Sequence, residues 1–149
     1  SRLSLEASAA GLTNIQFHDL QPAERLSDLL ALASLHLLVQ RGGAADLMLP
    51  SKMANMLASG RPLVATAEAN TGIANEVKGC GIVVPPEDPE ALARAVAFLV
   101  DNPSKCAVLG RAARQRAVQR WDRDALVGDL LLQIHQLLYQ NKEKSIKPL

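Results

Sequence analysis

The sequence predicts an α/β domain, a mostly parallel sheet with helices flanking it. Two observations carry that expectation. Short, nearly continuous apolar runs such as LHLLV (residues 35–39) and LVATA (residues 63–67) have the pattern of strands buried on both faces, as in parallel sheets. These runs alternate with segments of helical periodicity, the order that produces a sheet covered by crossover helices.

Each element has a local reason. Residues 3–10 are rich in Ala and Leu and end at Gly11, a helix tail with a glycine stop. Residues 14–18 (NIQFH) are a short run with apolar Ile15 and Phe17 after a turn signal, hence a first strand. Pro22 suits a first helical turn, and Leu26, Leu29, Leu30 and Ala33 share one face of a helix reaching residue 33. The strand at 35–39 leads into a loop with Gly42 and Gly43. Pro50 and Ser51 then open a helix that ends at Gly60. The strand at 63–67 follows, then a short helix over 73–77 and a fourth strand at 81–84 (GIVV), closed by Pro85 and Pro86. From residue 88 onward the pattern is helical. Asp88 caps a helix with Pro89 in its first turn, and Leu92, Val96 and Leu99 recur at helical spacing. A second helix spans 103–120. A third starts near Asp122 and carries Leu126, Leu130, Ile134 and Leu137. Residues 142–149 read as a frayed tail after a domain of residues 1–141.

Composition limits the function. The 149 residues suffice for one core. Sixteen basic against fifteen acidic side chains leave no basic stripe for nucleic acid and no polybasic membrane anchor. Aromatic residues make up 3%, too few for a base-stacking platform. Cys80 and Cys106 lack CxxC spacing, which fits free thiols in a reducing, cytoplasmic setting. His18, His36 and His135 have no i, i+4 partner, so no metal site is expected. No GxSxG elbow, Walker A loop or GxGxxG is present. Trp121 reads as a packing anchor for the last helix. The chain lacks an initiator Met and opens inside a helical pattern, which predicts a piece of a longer protein.

Two segments belong where ligands bind in open α/β sheets, outside the carboxyl ends of the strands. In residues 41–66, Gly42 and Gly43 allow close approach to the backbone. The helix starting at Ser51 aims unsatisfied N–H groups and a positive dipole end at that loop, with Lys52 adding a charge, and this suits a phosphate or diphosphate. Read alone, Ser51 is equally a plain N-cap and Lys52 a solvated lysine. In residues 68–85, Thr71 and Gly72 open a second helix with Glu76 one turn in. They form either another wall of the same cleft or an ordinary connecting helix with a solvent-facing Glu.

Several of these segments together resemble one family. NIQFHDLQPAERLSDLLALASLHLLV, LPSKMANMLASGRPLVAT, ANEVKGCGIVVPPEDPEALARAVAFLVDNP and RWDRDALVGDLLLQIHQLL resemble, in this order, segments of the C-terminal domain of retaining GT-B glycosyltransferases of the family 4 type, such as those of colanic-acid and other exopolysaccharide biosynthesis. The resemblance covers nearly the whole chain. It implies a Rossmann-like sheet lacking its first strands, because relatives place two strands before residue 14, in the middle of the sheet, with an Arg and a Lys that grip the diphosphate. It also implies a nucleoside-diphosphate-sugar donor as substrate, with no cofactor. The acceptor would sit on an N-terminal domain absent here and be lipid-linked or a polysaccharide, at the inner-membrane surface. The donor would contact Gly42, Gly43, Ser51, Lys52, Asn55, Thr71, Gly72 and Glu76. The family's paired glutamates, eight residues apart, fall on Leu47 and Asn55, so Asn55 offers ribose hydroxyls a hydrogen bond but no charge. No catalytic residue follows from the resemblance, and the piece alone is expected to be inactive. A GT-B sugar-nucleotide epimerase and a non-catalytic nucleotide-sugar or protein-binding module are the alternatives.

Overall fold

The computed structural model describes residues 2–42 and 51–145, with side chains through residue 138. Helix α1 (Arg2–Ser8) ends in a turn with Gly11 at φ +89°, the left-handed backbone its sequence anticipates. A 3-10 turn (Ala23–Arg25) leads into α2 (Leu26–Leu32). Strand β1 (His36–Leu38), helix α3 (Ser51–Ala58), strand β2 (Leu63–Thr66), helix α4 (Gly72–Val77) and strand β3 (Gly81–Val84) follow. Three helices complete the chain: α5 (Pro89–Val100), α6 (Pro103–Arg120) and α7 (Arg123–Ser145).

The described strands form one parallel sheet in the order β1-β2-β3, with Leu63 opposite both His36 and Gly81. Central strand β2 is buried along its whole length. Its Leu63 and Ala65, with Ala67 just beyond it, meet Met53 and Leu57 of α3, Ile73 and Val77 of α4, and Ala113 and Ala117 of α6 on one face. Val64 meets Ala95 and Leu99 of α5 and Leu109 of α6 on the other. Apolar side chains on both faces of a strand account for an unbroken apolar run.

Two expectations need correction. Residues 14–18 form no strand, and Ile15 and Phe17 are 43% and 40% exposed. A strand exists only through a ladder with a neighbour, and no described strand lies beside this segment. The sheet therefore has three described strands rather than four. Helix α7 continues through Ser145, so residues 142–145 are helical rather than frayed, and residues 146–149 lie outside the described part.

Helix α6 meets the turn between α3 and β2 at a pair of glycines. A Cβ on Gly110 would collide with the Gly60 carbonyl oxygen and lie 3.1 Å from the Gly60 carbonyl carbon. Arg114 of α6 donates 2.7 Å to the carbonyl of Ala58, satisfying one of the open acceptors at the end of α3. Helix α7 begins with the Asp122 carboxylate accepting from the Ala125 amide at 3.0 Å. Its Leu126, Val127, Leu130, Leu131, Ile134, Leu137 and Leu138 are all exposed. No helix among the described residues is long and apolar enough to cross a membrane.

Candidate functional site

In a parallel sheet every strand ends at the same edge, and the helix that returns the chain to the next strand starts there. Helix α3 carries the chain from the end of β1 to the start of β2, so Ser51 and Lys52 stand at the carboxyl edge. Both are exposed. The first-turn amides of α3 have no intrahelical acceptor and form the positive end of its dipole.

Beyond Leu38 the ladder between β1 and β2 is prolonged by a side chain. The Gln40 amide donates to Thr66 Oγ1 at 2.7 Å, and that hydroxyl donates back to the Gln40 carbonyl at 2.8 Å. Thr66 is buried. A Cβ at Gly42 would lie 3.9 Å from both Glu68 Oε1 and Pro86 Cβ, so the chains leaving β1, β2 and β3 meet at this glycine. Gly43 lies outside the described residues, as do Leu47 and its neighbour Asp46.

The turn after β2 places Thr71 and Gly72. Thr71 Oγ1 donates to the Glu68 carbonyl at 2.9 Å and accepts from the Ala74 amide at 3.3 Å, capping α4. Asn70, just before it, holds φ +67°. Thr71 is buried and Gly72 is exposed at the first position of α4.

Asn55 and Glu76 sit differently. Asn55 is exposed on the outer side of α3, over a depression of about 210 Å³ shared with Arg114, Trp121 and Arg123 and another of about 450 Å³ shared with Glu24, Leu26 and Ser59. Glu76 is not solvent-facing: it is 2% exposed. Its Oε1 accepts from the Trp121 indole N–H at 3.0 Å, and its Oε2 pairs with Arg120 at 3.2 Å. Trp121 packs against the core, as its reading as an anchor requires, and also supplies the donor that makes a buried carboxylate tolerable.

Sequence reasoning overlooked Gln40, Thr66 and Glu68, which shape this edge. Their signal was position alone: each lies within two residues of a strand's carboxyl end. A further depression, about 710 Å³, runs along the outer edge of β3 and is lined by Glu68, Asn70, Asn75 and Lys78 among others. At the opposite, amino edge, His36 Nε2 lies 2.9 Å from Ser59 Oγ. Burial, helped by Arg61, holds its imidazole below the usual histidine range. Cys80 and Cys106 are free thiols; burial pushes the Cys80 thiol up, partly opposed by Arg116.

Comparison with known proteins agrees with this architecture. Over 99 residues the chain is 42% identical to WcaI of Escherichia coli (strain K12), a protein assigned by name to glycosyl transfer in colanic acid biosynthesis. The match takes in 64% of this chain and 24% of that protein, so the chain spans about a quarter of its relative's length. Among solved structures it resembles sucrose-phosphate synthase (tll1590) from Thermosynechococcus elongatus, with a TM-score of 0.76 at 20% identity over 93% of this chain and 34% of the other. It also resembles Anabaena Alr3699/HepE in complex with UDP-glucose, with a TM-score of 0.69 at 20% identity over 93% of this chain and 36% of the other. At such identities the likeness is one of fold, a GT-B-type α/β domain. Residues 1–102 match the model of the family described as "Glycosyl transferases group 1", and the chain belongs to that family.

Proposed function

We propose that this chain carries the donor-binding surface of a glycosyltransferase that uses a nucleoside-diphosphate sugar. One observation carries the reading: the exposed N-terminal turn of α3, with Lys52, stands at the carboxyl edge where Gly42, Glu68 and Pro86 bring three strand exits together. First-turn amides and a lysine form an anion seat, and a diphosphate is the anion a sugar nucleotide presents. Charge grows on that diphosphate as the glycosidic bond breaks, so fixed donors there stabilise the transition state more than the ground state. Gly72 leaves room beside it, and Thr71 fixes the second wall. Anabaena HepE, which shares the fold, binds UDP-glucose, and this supports the same class of donor here.

The rest of the activity belongs to the same proposal. The acceptor is a lipid-linked sugar or growing polysaccharide, held by an N-terminal domain of the full-length protein, on the cytoplasmic side of the inner membrane. No metal or cofactor enters. Family membership favours transfer over epimerisation. The test is calorimetric titration of the full-length protein with UDP, GDP and their sugars. Replacing Lys52→Ala should weaken the preferred nucleotide about fivefold, as expected for one exposed cation at ~1 kcal/mol. Lys78→Ala, beside the β3 depression, should leave it unchanged. Absence of nucleotide binding, or a loss confined to Lys78→Ala, sinks the assignment.

A further inference from the structure

We infer that Glu76 is a positioning residue rather than a contact to the donor: acting through Trp121 and Arg120, it fastens α4, and with it the Thr71–Gly72 turn, to the end of α6. The inference rests on the donor-site reading above. Both carboxylate oxygens of Glu76 are already engaged, one by the Trp121 indole at 3.0 Å and one by Arg120 at 3.2 Å, and the side chain is buried. A second fastening lies beside it. The Arg116 guanidinium donates to three carbonyls at the end of α4: Glu76 at 2.7 Å, Lys78 at 3.1 Å and Asn75 at 3.4 Å.

Helix α4 needs such fastening. Six residues are far below the length at which a helix holds itself in water. At its first turn the Thr71 cap and an Asn75 Nδ2 bond to the Asn70 carbonyl at 3.4 Å are local, and Ile73 is buried in the core. Its remaining support is tertiary, and the polar part comes from residues 116, 120 and 121, about 40 residues further along the chain. The Thr71–Gly72 turn therefore inherits its position from α6, and the Trp121 corner, where α6 hands over to α7, sets one wall of the donor site.

The experiment uses the full-length protein. Trp121→Phe keeps an aromatic ring against the core but removes the N–H; it should raise the sugar-nucleotide Kd three- to tenfold, and Glu76→Ala should do the same. Glu76→Gln, whose amide oxygen still accepts from the indole while its NH2 group faces Arg120, should raise the Kd no further than Arg120→Ala does. Leu109→Ala, a core truncation on the other face of the sheet, should lower the Tm without moving the Kd, which separates positioning from general loss of stability. Independently of any ligand, Trp121→Phe should speed hydrogen exchange at the amides of residues 71–77. A Trp121→Phe protein with unchanged Kd and unchanged exchange overturns the inference. So does a loss of binding in Glu76→Gln that neither Trp121→Phe nor Arg120→Ala shares, the signature of direct contact. If the wild type binds no sugar nucleotide, the donor-site reading falls, and the exchange measurement still decides whether α4 depends on Trp121.

Discussion

Two glycines inside helices should respond to alanine with opposite signs. By propensity alone each Gly→Ala change stabilises a helix by about 1 kcal/mol. At Gly128 in α7 nothing lies within 4 Å of an added Cβ, so Gly128→Ala should realise that gain. At Gly110 in α6 the added methyl runs into the carbonyl of Gly60, with the carbonyl carbon at 3.1 Å and Arg61 Cα at 3.6 Å. All three atoms are backbone, in the turn that enters the central strand, and none can rotate away as a side-chain tip could. Overpacking costs about 1–3 kcal/mol, and a backbone obstacle argues for the upper end. Subtracting the propensity gain leaves Gly110→Ala less stable by about 2 kcal/mol. At roughly 2–4 °C per kcal/mol for a chain of this size, the Tm should fall by about 4–8 °C, while Gly128→Ala raises it by about 2–4 °C. Thermal and urea melts of the two variants side by side measure both. A Gly110→Ala protein as stable as the wild type would show that α6 does not meet the turn before β2 at backbone contact.

Other outcomes follow from single features. Thr71→Val removes the cap of α4 and should cost about 1 kcal/mol, with faster hydrogen exchange at the Ala74 amide. Leu57→Ala empties a fully buried position between α3 and β2 and should cost about 2–5 kcal/mol in denaturant melts. For His36 the folded state favours the neutral ring, so its imidazole titrates below its unfolded value. The stability this provides is complete above the unfolded pKa of about 6.5 and is lost as pH falls through that value toward the lower folded one. Tm measured from about pH 7.5 down to about pH 5 should therefore fall less steeply in His36→Asn than in the wild type.

What the sequence disclosed was what neighbours along the chain decide. Leu63 to Ala67 showed themselves as a doubly buried strand because all but Thr66 are apolar, and Asp88 and Pro89 announced a helix start because cap and ring act locally. Residues 14–18 misled because their local pattern suits a strand, while a strand requires a partner that no local pattern supplies. Glu76 misled for a related reason. On a short helix a glutamate looks like a solvated charge or a ligand contact, and the indole that occupies it comes 45 residues later. Of the candidate site, the helix starts at Ser51, Lys52 and Thr71 and the loop at Gly42 were legible as positions in the fold. The site was illegible where a strand exit matters only through what stands opposite, as with Gln40 and Thr66.

The hydroxyl of Thr66 has a geometric consequence. It stands in for a peptide group, both giving to and receiving from the backbone of Gln40. Two main chains clasped through a side chain lie further apart than two clasped directly. Strands β1 and β2 must therefore begin to splay just past the end of their ladder, with the main-chain N–H and C=O of Gln40 both answered. Shortening the clasp to a methyl, as in Thr66→Val, would leave two buried main-chain groups facing one another unanswered, and the seam could settle only by closing or by admitting water.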